Sequence, residues 1–323
     1  MKNSNIVLNG VVRGLKLGSK ILDCLKKDNK DKKDRFELVN GKIRHIYEKS
    51  SDYELEAKTK FGIGLNKSNV YDSFVIKTHP NNDQYKLLVL TEGKGFVSLD
   101  DKQVRVSDFV ALNIQDWFLK LTEHDLDSFY ADYLGESLSK CISFVDTVLR
   151  EKKGNSSKAI MALIGPEYTY ICNVGDLRCY IDDGYNFVQY NEEDSYLWDC
   201  YREGFFADKE EFRFSKKKDL GVGMIGLNKD RFASSYIIRS DMYDRLFLFS
   251  RGVIDCLSEG RMYDINLSSS NSRGVVDAII SHSTNGKKEY MSYYQGDSSS
   301  DIAPVIHGEK DATACCYVKV KKQ

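Results

Sequence analysis

Proline is nearly absent, with three residues in a chain of 323. That scarcity excludes Pro-rich linkers and extended polyproline tails. An excess charge of one sign is missing as well: 47 Lys and Arg stand against 48 Asp and Glu, a formal net charge of −1. Without a basic excess there is no electrostatic footprint for nucleic acid, and no nucleic-acid partner is expected. No apolar run approaches the ~18 residues of a membrane-spanning helix, and no secretory leader pattern opens the chain. The eight cysteines form no CxxC pair, and no histidine stands at zinc-ligand spacing, which removes the zinc-ribbon class. Several cysteines sit in apolar runs, such as Tyr170-Ile171-Cys172 and Ala314-Cys315-Cys316-Tyr317. They are expected to be buried, reduced thiols of a cytoplasmic protein.

What is present suits a folded chain. Hydrophobic residues make up 41%, with 20 Tyr and 16 Phe, enough for one large α+β domain or two small ones. Over 5–27, Val7, Val11, Leu15, Ile21, Leu22 and Leu25 share one helical face, with Arg13, Lys16, Lys20 and Lys26 on others. Gly10, Gly14 and Gly18 weaken that helix, and a charged linker follows to residue 34. A basic amphipathic helix either docks on a membrane surface or partner, or packs on its own domain, and the second is favoured here. The main domain is expected over 35–323.

From residue 35 onward strands and helices mix. Ile43–Tyr47, Ser73–Lys77 and Lys86–Thr91 read as strands. Ser107 is placed to cap a helix holding Phe109, Val110, Leu112, Trp117, Phe118 and Leu121. A second helix over 135–152 carries Leu138, Ile142, Val145 and Leu149 at helical spacing. Ala159–Ile164 and Tyr168–Asn173 form a hairpin about Gly165-Pro166, and Arg178–Ile181 and Phe187–Tyr190 flank the turn Asp182-Asp183-Gly184. Residues 191–220 are charged and aromatic without a clean period, as in a surface insertion, and Tyr196, Trp198, Tyr201, Phe205 and Phe206 are its candidate anchors for a partner. They equally suit packing against the domain, which is slightly favoured. Strands resume at Tyr236–Arg239 and Leu246–Ser250, a helix follows over Gly274–His282 and a loop over 292–301, and the last strand is Ala312–Lys321. Strand blocks separated by helices indicate an α+β fold with packed antiparallel sheets.

Four segments carry a more specific signal. Asn173-Val174-Gly175-Asp176-Leu177-Arg178-Cys179-Tyr180 resembles the N-V-G-D-S-R-x-Y hairpin of PP2C-like metal-dependent Ser/Thr phosphatases, with Leu177 as the one departure. The strand Leu246–Phe249 runs into Ser250-Arg251-Gly252, similar to that family's S-D-G, with Arg251 where the aspartate belongs. Asp311-Ala312-Thr313 is similar to the closing D-N-x-T strand. Glu92-Gly93-Lys94-Gly95 is similar to the D-G-x-G-G turn. Upstream, Lys67 falls where the family has an arginine, Tyr71 replaces the first of two acids and Asp72 matches the second. The resemblance spans roughly residues 60–320.

It implies an α/β/β/α sandwich, two antiparallel sheets flanked by helices. It also implies two Mg²⁺ or Mn²⁺ ions between the sheets, held by oxygen ligands and activating a water for attack on a phosphoserine or phosphothreonine. Carried over residue by residue, the metal ligands would be Glu92, the Gly93 carbonyl, Asp176 and Asp311. Lys67 would meet the substrate phosphate, and Asp72 would stand in the acidic pair. Asp176 and Asp311 also have plainer readings, as a turn residue and a loop acid. Arg251 is the decisive change, because it removes a ligand and adds a fixed charge. A divalent ion ~4 Å from a guanidinium, at an effective dielectric of ~20, is repelled by about 8 kcal/mol. Micromolar to millimolar affinity is worth only ~4–8 kcal/mol, so weak or absent metal binding is expected. Arg251 is expected instead to pair with Glu92, Asp311 or both. The function implied is a pseudophosphatase that binds a phosphoprotein or regulatory protein. The alternative is an active, divergent phosphatase that uses Glu92, Asp176 and Asp311.

Overall fold

The structure, a computed structural model, describes residues 43–62, 70–99, 102–127, 131–151, 153–220, 222–227, 233–291 and 302–320. The N-terminal helix expected over 5–27, its linker, Lys67 and the loop expected over 292–301 lie outside these residues. Among the described residues the strands are, in chain order, β1 (Ile43–Lys49), β2 (Tyr53–Lys60), β3 (Val70–Thr78), β4 (Lys86–Lys94), β5 (Phe96–Leu99), β6 (Lys102–Arg105), β7 (Ser156–Ile164), β8 (Tyr168–Val174), β9 (Arg178–Asp182), β10 (Phe187–Gln189), β11 (Ser234–Arg239), β12 (Arg245–Phe249), β13 (Lys288–Glu289), β14 (Val305–Ile306) and β15 (Ala312–Lys319). The helices are α1 (Val106–Leu119), α2 (Glu123–Asp127), α3 (Ala131–Arg150), α4 (Tyr196–Arg202), α5 (Arg251–Ile254), α6 (Glu259–Leu267) and α7 (Ser272–Ser283).

The strands pair into a six-stranded sheet, β1-β2-β15-β12-β9-β10, and a five-stranded sheet, β11-β8-β7-β4-β3, with two small hairpins besides. Every pairing in the two large sheets is antiparallel. Alternation along the strands sorts side chains into layers. On β4, Leu88 and Leu90 point into the core between the sheets, beside Leu55, Phe74, Ile171 and Leu248. Leu87 and Val89 point the other way, under Phe109, Phe118, Leu138 and Val145 of α1 and α3. On β15 the adjacent Cys315 and Cys316 part company, one facing the inter-sheet core and the other packing under Val253, Met262, Val276 and Ile280 of α5–α7. The result is an α/β/β/α sandwich, as the motifs implied. The seven cysteines among the described residues are free thiols, all buried except the half-buried Cys141.

Several elements differ from the sequence expectation, among them β2 and the start of α1. The strand β2 has no counterpart there, because its Glu54, Glu56, Lys58 and Lys60 look like a solvated stretch. The first two are buried instead, beneath the start of α7, where Glu54 accepts hydrogen bonds from the Ser272 backbone N–H and hydroxyl at 3.1 Å each. The helix α1 begins one residue before Ser107, so Ser107 lies inside it rather than capping it, and Arg105 precedes it without a side-chain cap. In the 191–220 segment most of the rings are tucked in, the option the sequence slightly favours. Ser195 caps α4 by accepting from the Trp198 N–H, and Trp198, Tyr201, Phe206 and Phe212 pack on one another. Tyr196 and Phe205 remain exposed, at 42% and 66%.

Candidate functional site

One end of the sandwich gathers the residues of the four motifs, and strand register does most of the gathering. Asp72 on β3 is paired with Glu92 on β4, and Glu92 with Lys158 on β7. The three therefore form a row across neighbouring strands, on the same face. Asp176 joins the end of the row from the turn between β8 and β9. That turn needs Gly175, whose φ of +102° is a left-handed value. A Cβ at Gly175 would also stand 2.9 Å from the Lys158 Cγ, so the missing side chain leaves room for the lysine stem.

Lys158 was not singled out from the sequence, yet it holds the centre. Its ammonium lies 2.9 Å from an Asp176 oxygen and 3.3 Å from Glu92 Oε1. Burial alone would lower its pKa, but the carboxylates of Asp176 and Glu92 outweigh that and hold it above the ordinary lysine value. Gly93 follows Glu92 on β4, and its bare Cα accepts the start of α1, since a Cβ there would stand 2.5 Å from the Ser107 nitrogen.

Arg251 opens α5 directly after β12, so the guanidinium turns inward and is buried. Its partners differ from the expected Glu92 and Asp311. It lies 2.5 Å from Asp255, one helical turn on, 3.6 Å from Asp176 and 3.9 Å from Glu193. Helical geometry explains the choice, because residues i and i+4 share a face. Asp255 also receives Lys310 at 3.0 Å and Lys218 at 3.2 Å, and Lys310 reaches Asp219 at 3.2 Å. Burial would raise the Asp255 pKa, but Arg251, Lys310 and Lys218 override it and hold the carboxyl far below its usual range. The segment around Lys218 and Asp219 is thereby pinned to the site by ion pairs of opposite sense.

Asp311 goes to the other side. Its carboxylate accepts from the Gly62 N–H at 2.9 Å and the Asp72 N–H at 3.2 Å, while the Thr313 hydroxyl donates to Asp72 at 2.7 Å. Thr313 belongs to one sheet and Asp72 to the other, so this contact ties the two together at the site. Burial, then the nearby Glu92 and Asp311, push the Asp72 pKa well up. Asp311 is raised too, chiefly by burial. A carboxyl whose folded pKa is raised costs stability at pH above that value, and the cost fades as pH falls toward the unfolded value of about 3.9. Asp72→Asn keeps the acceptor for Thr313 and removes the charge. It is expected to stabilise the fold by on the order of 1 kcal/mol at pH 8, with the gain vanishing near pH 4, as read by urea denaturation at the two pH values.

The donor set does not fit a pair of divalent ions. Glu92 and Asp176 already share the Lys158 ammonium, and Asp176 also faces Arg251. Among the described residues no three His, Cys, Asp or Glu side chains converge to hold a metal ion. No helix of these residues is long and apolar enough to cross a membrane.

No protein-family model and no curated protein matches the chain. Solved structures do. A bacterial serine phosphatase aligns with a TM-score of 0.63 at 18% identity, over 83% of this chain and 98% of its own. The serine/threonine phosphatase Stp1 from Staphylococcus aureus aligns at 0.61 and 17%, over 90% of this chain and 100% of its own. The catalytic domain of the serine/threonine protein phosphatase PstP, in complex with two manganese ions, aligns at 0.61 and 15%, over 84% and 99%. The chain thus has the fold of PP2C-type Ser/Thr phosphatases.

Proposed function

We propose that this protein is a pseudophosphatase, a PP2C-fold module that binds a phosphoprotein or a regulatory protein partner without turning it over. One observation carries the proposal. Arg251, at the place of the S-D-G aspartate, points inward and lies 2.5 Å from Asp255 and 3.6 Å from Asp176. The ligand is lost and a permanent cation stands beside a remaining carboxylate, where a divalent ion would have to dissolve both contacts. The exposed Tyr196 and Phe205, on the segment beside the site, supply apolar anchors for a partner.

The second proposal, a divergent active phosphatase, draws on the retained carboxylates: Asp72 pairs with Glu92 across β3 and β4, and Asp311 accepts from the Asp72 N–H at 3.2 Å. A phosphatase assay with a small aryl phosphate and excess Mn²⁺ decides between them. The expected result is no Mn²⁺-dependent turnover above buffer. Turnover that Mn²⁺ supports and Asp311→Ala abolishes would replace the first proposal with the second.

A further inference from the structure

We propose that Lys158 is the resident cation of this centre: its ammonium takes the position between Glu92 and Asp176 that a divalent ion would need, so removing Arg251 alone does not free these carboxylates for metal. Two contacts fix that position, at 2.9 Å to Asp176 and 3.3 Å to Glu92. The lysine side chain is 5% exposed, and the two acids are 11% and 0% exposed. A buried carboxylate needs a counter-charge, and the ammonium is shared by both.

The surroundings are shaped for the lysine. Strand register sets Lys158 beside Glu92, and Gly175 leaves the space its stem fills. Arg251 is arranged differently. Its closest partner is Asp255, which Lys310 and Lys218 also hold, and its reach to Asp176 is longer. Removing Arg251 therefore leaves the Glu92–Lys158–Asp176 contacts standing. Arg251→Asp restores a carboxylate at the S-D-G position without vacating the cation position, whereas Lys158→Ser vacates it and leaves a hydroxyl oxygen.

The test uses the full-length protein and Mn²⁺ alone as the probe, with bound Mn²⁺ read by electron paramagnetic resonance and the melting temperature read with chelator and with millimolar Mn²⁺. Wild type is expected to melt at the same temperature in both and to show no bound Mn²⁺. R251D, with its lysine intact, is expected to behave the same way. K158S/R251D is expected to bind Mn²⁺ at least tenfold more tightly than R251D, and to melt higher with Mn²⁺ than with chelator. Sub-millimolar Mn²⁺ binding by wild type overturns the inference, and so does binding by R251D equal to that of the double variant. A folded K158S/R251D that ignores Mn²⁺ overturns it as well. Should the double variant not fold, K158Q/R251D keeps most of the stem without the charge, and the R251D result stands as a test by itself. Mn²⁺ binding is read without turnover. A wild type that is silent toward phosphate esters yet binds Mn²⁺ thus defeats this inference while leaving the pseudophosphatase proposal intact.

Discussion

Arg251→Ala is expected to lower the melting temperature by about 6–10 °C at pH 8. The guanidinium is buried and faces Asp255, Asp176 and Glu193. Removing it leaves carboxylates in the interior with fewer counter-charges, and breaking one side of a buried pair costs about 3–5 kcal/mol. In a domain of this size each kcal/mol is worth about 2 °C. The cost has a pH signature. Asp255 has a depressed folded pKa, so its contribution to stability is fully present above the unfolded carboxyl value and is lost as pH falls through the folded one. The deficit of the variant is therefore full at neutral and alkaline pH and shrinks in strong acid. Arg251→Lys is expected to fall between the two proteins, since one ammonium cannot span three carboxylates as a guanidinium does. Calorimetry at pH 8 and pH 2 measures all three. An Arg251→Ala variant as stable as wild type at pH 8 would mean that the guanidinium is solvated rather than buried.

Gly252→Ala is expected to cost about 3 kcal/mol or more, or to abolish soluble expression. A Cβ at this position would stand 1.8 Å from the Asp311 carbonyl oxygen and 3.0 Å from the Ala312 Cα. Both obstacles are backbone, so no side-chain rotation relieves them, and the strand or the helix must move. The displacement would separate α5 from β15, the two elements that bring Arg251 and Asp311 to the site. Gly260 is the internal control. It lies exposed in α6, where an added Cβ meets nothing within 4 Å. Gly260→Ala is expected to stabilise by about 0.4–1 kcal/mol, because alanine restricts the unfolded chain. Chemical denaturation of the two variants side by side separates steric exclusion from helix propensity, which would move both in the same direction.

The sequence by itself determined the fold class and pointed to where a site would lie. Period-two strands, turn signals and the spacing of the N-V-G-D-like and S-R-G segments are local features, and local features are readable one residue at a time. It also marked Arg251 as a departure from the S-D-G pattern. Tertiary structure alone decided the partners. Arg251 meets Asp255 because α5 starts at that residue, a spacing present in the sequence but given meaning only by the helix. Lys158 lies 66 residues from Glu92, and only the register of β4 on β7 makes them neighbours. The buried Glu54 and Glu56 of β2 likewise read as solvent-facing until α7 covers them. Ion pairing between distant strands depends on which face each residue presents and on what excludes the water. Both are properties of the assembled sheets, so the charge that occupies the centre could be named only once the strands had been set side by side.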